Sequence, residues 1–392
     1  MRILFACHRF PFPPNRGGKI RPFHMIEHLS RKHSVVVASL AHTEQELREG
    51  KGLKDYCSEI LAEVLPHEVR WMQAVRALAS SNPSSVSYFR SPRLLKKVHQ
   101  AFRSTSFDVI FVHCAFAAQY VLDLPAAIRI LDFGDLDSGK WFDYAHYRRP
   151  PLSLGYRLEA TKLRRYESEV ARRFDRCTVT TRRELDEFKT LGIPVDCRVV
   201  PNGVDGEYFH TREEEPANSY VIVFLGRMDY FPNVDGVTYF AEEIFPIICQ
   251  KVAQAELRIV GSNPTRAVRK LAQLPRVSVT GHVPDVRPYL ADAAVAVAPL
   301  RIARGTQNKI LQFMAMGIPV VATPQAAKGV QAEPDKHILV AEGSKAFAEA
   351  VLKLLQNPQL RRDISNAARQ QMETAHKWPS SMQILDSVFE TS

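Results

Sequence analysis

Residues 304–323 read R-G-T-Q-N-K-I-L-Q-F-M-A-M-G-I-P-V-V-A-T. A glycine–threonine step opens an apolar stretch of helical spacing, Gly317 ends it, and a β-branched run follows. Loop, helix, glycine and buried strand in that order form one step of a parallel α/β sheet. The turn before such a helix leaves backbone N–H groups without partners, and together with the helix dipole they favour an anion. Thr306 is the expected cap of this helix. Lys309 falls in its first turn, where a cation opposes the dipole unless an anion lies beside it, and Gln312 falls on the next turn. Without a ligand, the same pattern describes a plain surface loop, helix and strand.

Outward from this stretch the pattern recurs. Toward the N-terminus, strands are expected at 295–298, 277–280, 256–260 and 221–225, with 319–322 closing the series. Helical patterns lie between and after them: Val237, Phe240, Ile244 and Ile248 recur on one helix face, and 306–316 and 344–355 follow suit. A first series precedes it, with strands expected at 3–6, 34–39, 109–113, 128–133 and 177–181. Its helices are expected at 94–103, 157–173 and 184–191, with another carrying Ile20, Met25 and Leu29. Pro194, Pro201, Asn202 and Gly203 supply the turn residues of a link at 192–202. The expected fold class is therefore α/β, with two doubly wound Rossmann-like domains at 1–195 and 196–376 and a tail at 377–392. In the tail, Pro379 should break or kink the chain ahead of a helical pattern of Met382, Leu385, Val388 and Phe389. No repeat of 20–50 residues and no low-complexity stretch is visible.

Composition narrows the class. The chain has 392 residues, 45% apolar and 24% charged, which excludes a disordered, collagen-like or heptad protein. No apolar run reaches the ~18–20 residues of a spanning helix. The start, MRILFAC followed by His8, Arg9 and a proline cluster, is too short for a signal peptide, so a cytoplasmic protein is expected. The six cysteines are scattered without a C-x-x-C pair, which favours buried thiols over zinc or redox chemistry. The net charge of +10 favours anionic partners. With no RNP string, zinc finger or basic zipper, nucleic acid is not the expected one; phosphorylated ligands and an anionic membrane surface are.

Three further strings carry candidate chemistry. In V-F-L-G226-R227-M-D-Y-F-P-N233, Gly226 gives a tight turn at a strand's carboxyl end and Arg227 a planar guanidinium suited to a diphosphate; a surface Arg paired to a carboxylate is the alternative. Arg16-Gly17-Gly18-Lys19 follows the first strand, and two glycines there let backbone approach a ligand, although the string is neither G-x-G-x-x-G nor a P-loop. In D108-V-I-F-V-H113 the histidine ends a strand and is placed to meet a sugar or phosphate, or serves structure alone. Cys114 beside it points to the opposite face. Asp132, Asp135 and Asp137 in LDFGDLDSGKW read as solvated loop carboxylates, with a metal or an acceptor as the alternative.

These strings together resemble the family-4 glycosyltransferases of GT-B fold. The similarity rests on G-R after the first strand of the second half, P-N-G-V-D at the link, and G-T-x-N-K-x-L-x-x-M-A-M-G-x-P-V-V-A. CHRFPFPPNRGGKIR, FGDLDSGKW, GRMDYFPNVDG and PLRIARGTQNKILQFMAMG are similar to the bacterial sugar transferases of exosortase (PEP-CTERM) exopolysaccharide systems. The resemblance implies two domains facing across a cleft, a nucleotide-diphospho sugar donor, transfer with retention, and a glycan or lipid-linked acceptor. It implies that Arg227 holds the donor diphosphate and that the backbone of Gly305, Thr306, Gln307 and Asn308 cradles the distal phosphate. Gly17 and Gly18 would approach that phosphate, His113 would contact the transferred sugar, and His282 and Val283 after Gly281 would border the nucleobase. The tail after Trp378 would cross back to the first domain.

The sequence departs from the family at three positions. The usual E-x7-E pair falls at Arg304 and Gln312. Gln312 can still hydrogen-bond a ribose, whereas Arg304 is suited to a phosphate or an acidic sugar. The family's second diphosphate cation, a lysine, falls at Asn233, and Lys309 is expected to supply that charge. Arg227, Lys309 and helix N–H groups would then stabilise the leaving diphosphate, with no metal and no cofactor. The basic stretch 156–174, with Arg16, Lys19 and Arg21, is a candidate rest on the inner face of the cytoplasmic membrane, or a solvated face. A nucleotide-sugar 2-epimerase-like isomerase and a non-catalytic binding partner are the competing functions.

Overall fold

A computed structural model describes residues 1–15, 17–210 and 219–389; Arg16, one of the candidate glycine-loop and membrane residues, lies outside them. The chain divides into two compact units, residues 1–201 with 382–392 and residues 202–381.

The first unit is built on seven strands: β1 (Arg2–Cys7), β2 (Ser34–Ala41), β3 (Glu59–Val64), β4 (Val109–His113), β5 (Ile128–Gly134), β6 (Arg176–Val179) and β7 (Asp196–Val199). Their order is β3-β2-β1-β4-β5-β6-β7, and each neighbouring pair is parallel. The second unit has β8 (Val221–Leu225), β9 (Glu256–Val260), β10 (Val277–Val279), β11 (Val295–Ala298), β12 (Val320–Ala322) and β13 (Leu339–Val340). Their order, β10-β9-β8-β11-β12-β13, is again all parallel. Both sheets thus reverse direction of winding beside their first strand, between β1 and β4 and between β8 and β11, and ligands of doubly wound folds bind outside the carboxyl ends of strands at such points.

The central strands are continuous apolar runs because helices cover both faces. Ile222, Val223 and Phe224 of β8 and Ala296 and Val297 of β11 are wholly buried, as are Leu4 of β1 and Ile110 of β4. The recurring face of Val237, Phe240, Ile244 and Ile248 is also wholly buried, although its helix runs through a π-helical turn at Phe240–Ile244.

Three sequence expectations are corrected. β7 pairs with β6, so residues 196–201 belong to the first unit and not to the link; a strand of four alternating residues gives little periodic signal. Pro379 neither breaks nor kinks the tail but sits in the first turn of the helix Trp378–Phe389, where a missing N–H costs nothing. Lys19 and Arg21 are buried in the helix Gly17–Ser30 and cannot rest on a membrane: Lys19 pairs with Glu46 at 2.6 Å and Arg21 with Asp132 at 2.7 Å.

Candidate functional site

In the second unit the candidate residues gather at the carboxyl end of β8. The strand ends at Leu225, and Gly226 N donates to Val260 O of β9 at 3.0 Å. A Cβ at Gly226 would stand 2.7 Å from Asn233 Nδ2 and 3.1 Å from Lys309 Nζ, so glycine is what leaves both side chains room. Arg227 Nε and Nη2 donate to Asp229 Oδ1 and Oδ2 at 3.1 and 2.5 Å. The carboxylate alternative weighed for this arginine is therefore present, and it takes one edge of the fork. Nη1 is the edge left for a ligand, on a half-exposed side chain.

Lys309 lies 83 residues further on in sequence and beside Gly226 in space. Its Nζ donates to Asn233 Oδ1 at 2.6 Å and sits 4.4 Å from the centre of the Phe224 ring. Asn233 Nδ2 in turn donates to Arg227 O at 2.9 Å. One buried amide thus ties the Lys309 ammonium to the Arg227 backbone. Among the described residues no carboxylate pairs with Lys309, and burial pushes its pKa down to about 7. An amine largely withdrawn from water without a counter-charge is a costly arrangement that an anionic ligand would offset.

The helix carrying Lys309 runs Asn308–Ala315, two residues later than expected. Thr306 therefore does not cap it, and Gln307 at the cap position makes no side-chain cap bond; its Nε2 donates to Arg304 O at 2.9 Å. Ile310 N donates to Gln307 O at 2.8 Å, which leaves Asn308 N and Lys309 N as the first-turn groups for a ligand. Thr306 Oγ1 is buried with no hydrogen-bond partner. Gly305 adopts a left-handed φ of +59°, which turns the loop into the helix without strain. Asn308 Oδ1 accepts from Asn202 Nδ2 at 3.2 Å. Arg304 and Gln312 are half-buried on the same loop and helix. His282 and Val283 lie in the loop after β10, at the sheet edge, His282 exposed and Val283 packed on the unit's core. No hydrogen bond or ion pair joins them to the Gly226, Asn233 and Lys309 group among the described residues.

In the first unit His113 closes β4 at the other winding reversal. Its Nδ1 lies 2.7 Å from Asp132 Oδ2. The two are register partners on β4 and β5, so their side chains leave the sheet on one face. Asp132 is not the solvated loop carboxylate expected from sequence. It is fully buried, accepts from Arg21 Nε and Nη2 at 2.9 and 2.7 Å and from Thr178 Oγ1 at 2.6 Å, and its pKa is depressed despite the burial because Arg21 and His113 stand beside it. A carboxylate so engaged is not a metal ligand in waiting; it orients the His113 ring and fixes which nitrogen faces outward. Asp135 is held by Thr180 Oγ1 at 2.7 Å. The His8 ring lies 6.1 Å from that of His113, and Arg9 Nε donates to His8 Nε2 at 3.1 Å. Gly17 and Gly18 are exposed at the start of their helix, and a Cβ at Gly18 would touch the Arg9 side chain at 3.2 Å. His8, Arg9, Arg21 and Asp132 were missed as a group; His8 and Arg9 follow the end of β1 and Asp132 lies near the end of β5, whereas Arg21, inside the helix Gly17–Ser30, carries no such signal.

Comparison with known proteins bears on the fold. Residues 219–357 match the family model described as Glycosyl transferases group 1, and residues 16–208 match that of Glycosyltransferase Family 4. No curated protein matches in sequence. Among solved structures, sucrose-phosphate synthase from Thermosynechococcus elongatus superposes with a TM-score of 0.73 at 15% identity, covering 99% of this chain and 98% of its own. Anabaena Alr3699/HepE in complex with UDP gives 0.69 at 14%, covering 99% of each chain. A mutant of S. aureus TarM in complex with Fondaparinux, alpha-GlcNAc-glycerol and UDP gives 0.68 at 11%, covering 100% of each. With both halves matched by glycosyltransferase families and the whole fold shared with these structures, the chain is a GT-B protein of the family-4 glycosyltransferases.

Proposed function

We propose that the chain moves a sugar from a nucleotide-diphospho sugar to a glycan or lipid-linked acceptor, with retention of anomeric configuration. The observation that carries this reading is the half-buried Lys309 ammonium, without a carboxylate partner among the described residues, at the winding reversal of the second sheet, tied through Asn233 to the Arg227 backbone and set in the first turn of Asn308–Ala315. Two cations and free N–H groups converging outside a strand end suit a diphosphate leaving group. Lys309 reaches the place of Asn233 itself, which supports its taking over the charge that the family carries there.

In this reading Arg227 and Lys309 neutralise the departing diphosphate, and the backbone of 305–308 holds its distal phosphate. The diphosphate takes the acceptor hydroxyl's proton, and the resemblance assigns His113 to the transferred sugar, Gln312 to the ribose and the loop of His282 and Val283 to the base. The cations at the diphosphate make a metal ion unnecessary. HepE and TarM were both solved with UDP, which makes UDP the first nucleotide to try. The strings shared with exosortase-associated transferases support a place in exopolysaccharide synthesis at the inner face of the cytoplasmic membrane.

Isothermal calorimetry against UDP, GDP and ADP, with and without EDTA, tests the reading. One nucleoside diphosphate binding at micromolar strength, indifferent to EDTA and lost in Arg227→Ala, is expected. Binding to none of the three refutes the donor site and leaves the changes at Asn233, Arg304 and Gln312 as lost function.

A further inference from the structure

Eight of the fourteen large apolar side chains exposed in the described residues lie on two stretches of the first unit. The helix His67–Ala77 and its cap residue carry Trp71, Met72, Val75 and Leu78, exposed by 54, 46, 59 and 57%. Residues 71, 75 and 78 share a face, while Arg70, Ala74 and Ala77 on the adjoining face are buried. The helix Leu152–Ala171 and the turn before it carry Tyr147, Leu152, Leu154 and Leu158, exposed by 46–61%. The two stretches adjoin, since Lys162 Nζ, one turn beyond Leu158, donates to Ala77 O and Leu78 O at 3.3 and 3.1 Å.

The charge on this face is mostly positive. Residues 67–78 and 146–165 contain two carboxylates. Glu159 is buried and spent on Ser84 N and Ser85 N at 2.9 and 2.7 Å, which leaves Glu68. Against it stand exposed Arg76, Arg148, Arg149 and Arg157. Protruding leucines and a tryptophan rimmed by arginines match the pattern of a helix face that lies in a lipid interface, apolar groups at the acyl boundary and guanidinium groups at phosphates. A second copy of the chain fits poorly, because a two-fold contact would set the arginine rims against each other.

We propose that this face of the first unit docks on an anionic phospholipid surface. The contact shares Arg157 and Leu158 with the basic stretch 156–174 expected from sequence, leaves out Lys19 and Arg21, which the fold buries, and goes beyond the transfer reaction.

Co-sedimentation of the full chain with phosphatidylcholine vesicles, and with vesicles in which phosphatidylglycerol replaces about a third of the lipid, tests it. The chain should pellet with the anionic vesicles only. Leu154→Ser with Leu158→Ser, and separately Arg149→Gln with Arg157→Gln, should each lower the partition coefficient by about tenfold or more. All four positions face solvent, and unchanged circular dichroism checks the fold. Equal pelleting of parent and variants, or none with anionic vesicles, overturns the proposal. So does a dimer in light scattering that the leucine pair abolishes, which would put a second copy or another protein on this face. No sugar donor enters the assay, so its failure leaves the transfer reading untouched.

Discussion

A pH experiment on Lys309 separates a donor site from a merely structural lysine. Burial lowers this residue's pKa from 10.5 to about 7, which disfavours the ammonium in the folded chain by roughly 3–5 kcal/mol. Between those two pH values the unfolded chain holds more protons than the folded one, so stability contributed by this residue rises with pH there. The full penalty applies below about 7 and is gone above 10.5. A bound diphosphate reverses the preference, and above pH 7 its binding must take up a proton. Affinity for UDP should then fall by about tenfold per pH unit above about 7, until the pKa of the bound state is reached. The nucleotide's own terminal ionisation lies near pH ~6 and stays out of this window. Lys309→Met removes the charge and its penalty but leaves Asn233 Oδ1 unpaired at a cost of ~1–3 kcal/mol. The free protein should gain roughly 2 kcal/mol near pH 7, about 4–8 °C in the melting of the second unit, while UDP binding and its pH dependence disappear. Calorimetric titration at about pH 7, 8 and 9, in buffers of different ionisation enthalpy, counts the protons directly. Affinity that is flat across this range with no proton uptake, or undiminished binding by Lys309→Met, would refute the reasoning.

Other substitutions probe the remaining parts. Arg227→Ala should lower kcat/KM for transfer by roughly 2–4 kcal/mol of transition-state stabilisation while leaving the melting temperature within about a degree, its side chain being half-exposed. Gly261→Ala would place a Cβ 1.7 Å from Gly226 O, and the forced shift of the Gly226 turn should abolish UDP binding in calorimetry before it unfolds the unit. Asp132→Asn leaves Arg21 and His113 without their buried counter-charge, and urea unfolding should show a loss of about 3–5 kcal/mol. Because the Asp132 pKa is depressed in the fold, that stability is present above the ordinary carboxylate range and fades only as pH falls through the lower folded value. Parent and variant should accordingly converge only in strong acid.

Strands β8, β9 and β11 begin and end at the residues their apolar runs single out, since a strand covered on both faces leaves an uninterrupted signature. β3, with Glu59 and Glu63, and the two-residue β13 carry no such signature and escape a reading by period. In the site, Gly226, Arg227 and Lys309 are legible because strand ends and helix starts are legible. The Lys309–Asn233 bond joins residues 76 apart, and the Arg21–Asp132 pair residues 111 apart. No local pattern encodes either. Hence Arg21 and Asp132 each read as a solvated charge when taken alone, and only the sheet order that sets β1, β4 and β5 side by side turns the two into one buried pair.

The helix Trp378–Phe389 begins in one unit and finishes in the other. Its last turns bury Met382, Leu385 and Val388, stack Phe389 on Phe111 at 6.0 Å and set Asp386 2.7 Å from His28. The first unit is therefore assembled from the earliest and the latest parts of the chain. On the ribosome its seven strands emerge and pair while the piece that covers Phe111 is still untranslated, and the whole second unit must be made before the first can be finished. A nascent chain halted near residue 201 should present a sticky, chaperone-binding face that the released protein does not have. The order of synthesis, rather than the order of the strands, then decides which unit reaches its native stability first.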